Sequence, residues 1–118
     1  MVTNQEKGKN GEELAAQWLL TKGFVLLHMN WRQGRYEIDI IATKDQVLHF
    51  IEVKTRTSVR FGNPEDQVKK KKLRHMIDAG VGFIYQNKGW KKIRFDILAI
   101  KLFKDLDPEF FFIEDVYT

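Results

Sequence analysis

Asp39 and the run Glu52-Val53-Lys54 are the residues whose types and spacing point most directly to chemistry. Residues two apart in a β-strand share a face, so Glu52 and Lys54 point the same way, as do Phe50 and Arg56. In the segment before, Glu37, Asp39 and Ile41 share a face. Folded as a hairpin, the two segments bring Asp39 and Glu52 together with Lys54 beside them. Two carboxylates held close repel, and burial makes this worse. A divalent cation removes the problem, and hard oxygen ligands suit Mg²⁺ or Mn²⁺. A lysine next to such a pair can orient or deprotonate a water and neutralise charge developing on a phosphate. This is the equipment for phosphodiester hydrolysis. The plain alternative is a solvated edge strand with Asp39 salt-bridged to Lys54 or Arg56, since alternating polar residues are an ordinary strand pattern.

Periodicity predicts the elements that must position these groups. A helix is expected from about Gln5 to Lys22. Leu14, Trp18 and Leu19, with small Gly8, Gly11 and Ala15, lie on its inner side, and Gly23 stops it. "FVLLHMNW", "RYEIDIIAT" and "QVLHFIEVKTR" read as three strands, the last two joined by a turn at Lys44-Asp45. The faces Ile38-Ile40-Ala42 and His49-Ile51-Val53 suit burial under a helix. "FGNPED" opens a second helix, with Asn63 as cap, Pro64 at the first position, and Glu65 and Asp66 at the positive end of the dipole. It runs to about Tyr85 with Leu73, Met76, Ile77, Gly80 and Ile84 inward. A turn at 87–89 leads to a fourth strand, "WKKIRFDILAIKL", and "EFFFIEDVY" reads as a short final one. The order α-β-β-β-α-β-β predicts an α/β (α+β) fold, a mixed sheet with helices packed on it. No repeat or linker interrupts the chain, so a single domain over 1–118 is expected.

Helical geometry puts Glu12 on the margin of the first helix's apolar sector, facing along the sheet, and turns Glu13 to solvent. Gly8, Gly11 and Ala15 would let that helix approach the sheet closely. Lys69, Lys70, Lys71, Lys72 and Arg74 put five basic residues within six positions. Contacts to a phosphate backbone would use them well, giving salt-dependent, sequence-independent affinity. The alternative is a solvated helix face. His28, His49 and His75 show no metal-ligand spacing, and His49 falls on an apolar face as a structural residue. Trp31, Tyr36 and Phe61 could stack on bases, though core or rim packing suits each.

The totals narrow the field. The chain has 118 residues, 43% apolar and 31% charged, an ordinary globular balance. It has no cysteine, which removes disulfides, thiolate zinc sites and thiol nucleophiles. The net charge of +4 permits a polyanion partner without demanding one. No segment resembles a signal peptide or approaches the roughly 18 apolar residues of a membrane span. The expectation is a soluble cytoplasmic protein with no membrane partner. There is no Walker-type loop, G-x-S-x-G or HExxH.

Asp39 followed by Glu52-Val53-Lys54 resembles the D…ExK core of the PD-(D/E)xK, restriction-endonuclease-like nucleases, with Ile38 in place of the nominal proline. The ordered set "GKNGEELAAQWL", "GFVLLHMNWR", "EIDIIA", "FIEVKTR", "FGNPEDQV", Lys72, Ala79 and "RFDILAI" resembles the bacterial YraN/UPF0102 family, itself similar to archaeal Holliday junction resolvases. That resemblance runs from Gly8 to about Ile100. It implies an αβββαβ nuclease core in which Glu12 is the helix carboxylate, Asp39 and Glu52 the metal-binding strand positions, and Lys54 the lysine. Gln67 stands where resolvase-like relatives often carry a glutamine on the next helix, and Glu37 is a second supporting candidate. Tyr36 departs from the glycine that many members have before the EID segment.

The resulting expectation is a Mg²⁺- or Mn²⁺-dependent endonuclease acting on DNA, branched or junction DNA included, with RNA not excluded. Asp39, Glu52 and the backbone carbonyl of Val53 would hold the metal. Glu12 would hold a water on it or a second ion, and Lys54 would position the attacking water. A subset of Arg56, Lys69, Lys70, Lys72 and Arg74 would grip the nucleic acid, since Lys70 and Lys72 lie about 200° apart on a helix. Cutting both arms of a junction needs two active sites, hence a homodimer in that variant. Two rivals are a non-catalytic nucleic-acid-binding module with the same fold and a protein-interaction adaptor.

Overall fold

Asn4–Thr21 form the first helix, α1. The computed structural model describes residues 4–57 and 70–116, and side chains for 11–57 and 72–116. Gly23, at φ 91°, ends α1 as expected. Its N–H reaches the Leu20 carbonyl at 3.2 Å, and the Phe24 N–H reaches Leu19 at 3.1 Å. This is a Schellman closure, in which a left-handed residue turns the chain and satisfies the last carbonyls. Phe24 and Leu19 then join one core.

Val25–Gln33 (β1), Tyr36–Lys44 (β2) and Val47–Arg56 (β3) follow as an antiparallel meander. The β2–β3 turn is Asp45-Gln46, one residue later than the sequence predicts. Both residues have positive φ, 51° and 67°, the geometry of a two-residue hairpin turn whose twist matches the strands. The shift matters. With Lys44 paired to Val47, continuation of the register sets Asp39 opposite Glu52, whereas a turn at Lys44-Asp45 would set it opposite Phe50.

The second helix, α2, spans Lys70–Gln86 within the described residues. The cap and first turn expected at Asn63, Pro64, Glu65 and Asp66 lie outside them. α2 leads into Lys92–Phe103 (β4), which pairs with β3 in parallel. Leu106–Ile113 (β5) closes the sheet antiparallel to β4. The sequence reading starts this strand at Glu109, three residues late, and leaves out Pro108. An edge strand tolerates proline, since one side of it needs no backbone donor. The sheet order β1-β2-β3-β4-β5 is mixed, with the element order anticipated.

Each helix covers its own core cluster. Ala15 and Leu19 of α1, with Leu14 and Trp18 beside them, pack on Ile40, Ala42, Ile51, Leu98 and Ile100. Met76, Ala79 and Phe83 of α2 pack on Ile41, Leu48 and Phe50. Two expectations need correction. Ile38 joins the α2 cluster instead of the one holding Ile40 and Ala42. The inner stripe of α2 runs through Ala79 and Phe83, and Ile77 is only half-buried. No helix of the described residues is long and apolar enough to cross a membrane.

Candidate functional site

The β2–β3 ladder stops at Ile40↔Ile51. Beyond it β2 continues against β1 as far as Tyr36↔Gln33, and β3 continues against β4 as far as Arg56↔Lys101. The sheet therefore forks at Asp39 and Glu52. A fork leaves backbone groups without ladder partners. The Val53 N–H solves this by donating to Asp39 Oδ2 at 2.8 Å, which fixes one oxygen of that carboxylate.

α1 reaches the fork because Gly11 has no side chain. A Cβ there would run into Thr55 Cγ2 on β3. The close approach expected of the small residues thus holds at Gly11, while the side-chain surroundings of position 8 lie outside the description. Glu12 follows half-buried and Glu13 exposed, as the helical phase predicts. Carboxylate oxygens of Glu12, Glu37 and Asp39 lie within 4.8 Å of one another. Burial raises the Glu12 pKa, and the charges of Asp39 and Glu37 raise it further. A hydrogen bond with Asn30 opposes them. Asn30 sits on β1 at φ 54°, a conformation asparagine tolerates better than most residues. Arg32 of β1 meets Glu37 at 3.2 Å.

Glu52 lies on the other prong, 3% exposed. Its Oε1 meets Lys72 Nζ at 3.2 Å. Its Oε2 is buried and has no hydrogen-bond donor among the described residues. Asp39 is pushed up to about 7, first by burial and then by the charge of Glu52; the Val53 N–H opposes this. One shared proton lets these two carboxyls hydrogen-bond to each other. Burial also lowers the Lys54 pKa. Arg56 and Lys72 add to the lowering, and Glu52 and Asp39 oppose it. Burial works against the charge on Lys72 too, but Glu52, helped by Asp39 and Glu37, overrides it and leaves the pKa raised.

The fork therefore gathers Glu12, Glu37, Asp39, Glu52, Lys54 and Lys72 from α1, β2, β3 and α2. Arg56 lies half-buried beside them, its guanidinium donating to the Thr55 carbonyl at 3.0 Å. Arg74 is exposed on α2. Gln67 and Lys69 lie outside the described residues, as do Phe61 and the side chain of Lys70. Trp31 packs edge-on to Phe83, and Tyr36 stacks on His75 with ring centres 4.5 Å apart, which is rim packing. Two concavities of about 580 and 380 Å³ open around Lys44 and Asp45 at the hairpin end, and none of the fork carboxylates lines either.

Three features were missed in the sequence. Lys72 was placed among phosphate-backbone contacts, yet it touches Glu52. Asn30 and Arg32 entered no expectation. Arg32 was within reach of sequence, because Gly34-Arg35 forms the β1–β2 turn and sets Arg32 opposite Glu37. Asp96 was passed over as a polar strand residue. It is wholly buried, accepts a hydrogen bond from the Asp115 N–H at 2.8 Å, and pairs with His49 Nδ1. His49 is structural, as expected, and this pair explains how.

Comparison with known proteins adds lineage. The model of a family described as "Uncharacterised protein family UPF0102" matches residues 11–100. A UPF0102 protein of Phocaeicola vulgatus is 43% identical over 100 residues, 85% of this chain and 83% of that protein. One from Flavobacterium psychrophilum is 41% identical over 100 residues, covering 85% and 84%. One from Chloroherpeton thalassium is 38% identical over 125 residues, covering 99% and 97%.

Proposed function

The chain belongs to the UPF0102 family, and for this member we propose a Mg²⁺- or Mn²⁺-dependent endonuclease that hydrolyses phosphodiester bonds in DNA. The observation that carries the reading is the convergence of Asp39, Glu52, Glu12 and Lys54 at the sheet fork. They come from three elements, in a place where stability alone is poorly served. An unpaired buried carboxylate oxygen costs about 1–3 kcal/mol or more, and among the described residues Glu52 Oε2 has no partner. The donor set fits a hard divalent cation, being all oxygen.

Asp39 and Glu52, with the Val53 carbonyl as a third oxygen, would hold the ion. A bound divalent ion supplies Lewis acidity and a more acidic water. The remaining work falls to the chain. The Val53 N–H keeps the Asp39 carboxylate oriented. Glu12, held by Asn30, accepts a proton or a water hydrogen bond at the mouth of the fork. Glu37 restrains Arg32 next to it. Lys54, whose charge burial disfavours, stands ready to orient the attacking water and to neutralise charge on the phosphate. Arg56 and Arg74 would steer a polyanion toward the fork, in keeping with the net charge of +4.

The test is cleavage of labelled linear, nicked and branched DNA with Mg²⁺, Mn²⁺ or EDTA. Metal-dependent cutting that Glu52→Ala removes is the expected result. Binding without cutting in either metal, together with no effect of Asp39→Ala or Lys54→Ala, would reduce the protein to a nucleic-acid-binding module.

A further inference from the structure

Lys72 is the one cation of the described residues in direct ion-pair contact with Glu52. The two partners are unequal. The Glu52 side chain is 4% exposed and cannot leave without unfolding its strand, whereas that of Lys72 is 50% exposed on the first described turn of α2. Lysine is a flexible point charge on a four-carbon stem. Swinging it into water leaves its own charge hydrated, and a divalent ion arriving at Glu52 replaces the positive charge that leaves. The contact also leaves its job half done, since Oε1 is neutralised and Oε2 has no donor.

We propose that Lys72 is a resident counter-cation of the fork, one that a divalent ion displaces from Glu52 as it binds, and that the freed ammonium then grips the nucleic-acid backbone. This inference rests on the metal-dependent reading above and deepens it. An ion taken up at Oε2 stands close to the ammonium on Oε1, and their repulsion loosens the lysine. Once released, Lys72 lies on the same helix as exposed Arg74 and within the basic run, on the element where a phosphate backbone would be met. One side chain would thus couple metal loading to substrate engagement. It holds the acidic site together when empty and joins the polyanion contacts when the site is filled.

Binding without DNA tests this. Mn²⁺ affinity is measured by calorimetry on wild type, Lys72→Met and Lys72→Arg. Lys72→Met should bind Mn²⁺ about five- to ten-fold more tightly, since nothing has to be expelled. Lys72→Arg keeps the charge and offers Glu52 a two-pronged partner, so it should bind more weakly than wild type. In wild type, the Lys72 side-chain NMR resonances should move from their paired to their free position as Mg²⁺ saturates the site. Equal or weaker Mn²⁺ binding by Lys72→Met, or Lys72 resonances that stay put at saturation, would overturn the displacement while leaving the nuclease reading intact. Mn²⁺ binding by Lys72→Met alone would support displacement in its strongest form. Failure of every variant to bind Mn²⁺ would remove both readings.

Discussion

β3 carries two buried polar side chains three residues apart, His49 and Glu52, and their surroundings are built on opposite terms. His49 pairs with Asp96, whose other oxygen takes the Asp115 N–H. Both side chains are enclosed, with Phe24 edge-on to the imidazole at 5.0 Å between ring centres. Here both Asp96 oxygens are partnered. Glu52 has a half-exposed lysine on one oxygen and, among the described residues, no hydrogen-bond donor on the other, with a second carboxyl alongside. A satisfied buried pair fastens elements together: β3, β4 and the segment after β5. An unsatisfied one stores a demand for positive charge. Burial alone does not mark a site. The count of unmet hydrogen bonds separates the clamp from the candidate site.

The comparison breaks most visibly if the wrong pair controls activity. Glu52→Gln is expected to cut cleavage on the order of a thousand-fold, about 4 kcal/mol of barrier, while thermal melting shows a fold at least as stable as wild type. A melt well below wild type would make Glu52 structural after all. Asp96→Ala should do the reverse. It strands His49 and the Asp115 N–H, costing about 3 kcal/mol in urea unfolding, with cleavage per folded molecule unchanged. Lost cleavage in a fully folded Asp96→Ala would dissolve the distinction.

A smaller effect sharpens it. Asp39 holds its proton up to about 7 in the folded state, against 3.8 ordinarily. Between those values the folded chain binds a proton that the unfolded chain has lost. Metal-free stability must then fall as pH rises through that window. Asp39→Asn removes this slope, so it should melt above wild type at pH 8, by about 4 °C for about 1 kcal/mol. The gap should close near the acid end of the window. A constant gap across pH would show that Asp39 is ionised throughout.

Much of the site was legible because strand alternation holds over most of the hairpin, Ile38 excepted. With a two-residue turn at either place, Asp39 and Glu52 share a face, and helical phase placed Glu12 toward the sheet. The fold order followed from the same periodicities. What escaped depended on contacts between distant segments. The His49–Asp96 pair depends on the parallel β3–β4 register, which a helical crossover sets and no local pattern encodes. Lys72 looked like one more member of a basic run, and only the docking of α2 singles it out. The hairpin turn was misplaced by one residue because Asp45-Gln46 lacks the glycine that usually announces two positive φ values.

The parallel join between β3 and β4 has a consequence in time. β1, β2 and β3 are linked by two-residue turns, so their contacts form at small loop-closure cost. β4 can pair with β3 only after the whole α2 crossover is gathered in, a slower non-local step. The meander should therefore assemble first and bring its carboxylates together before α2 delivers the lysine that answers them. Pulse-labelled amide exchange during refolding should show β2 and β3 protected ahead of α2, and the opposite order would refute this sequence of events. On that schedule the fork is briefly at its most acidic in the nascent protein, which makes dissolved cations a participant in its folding.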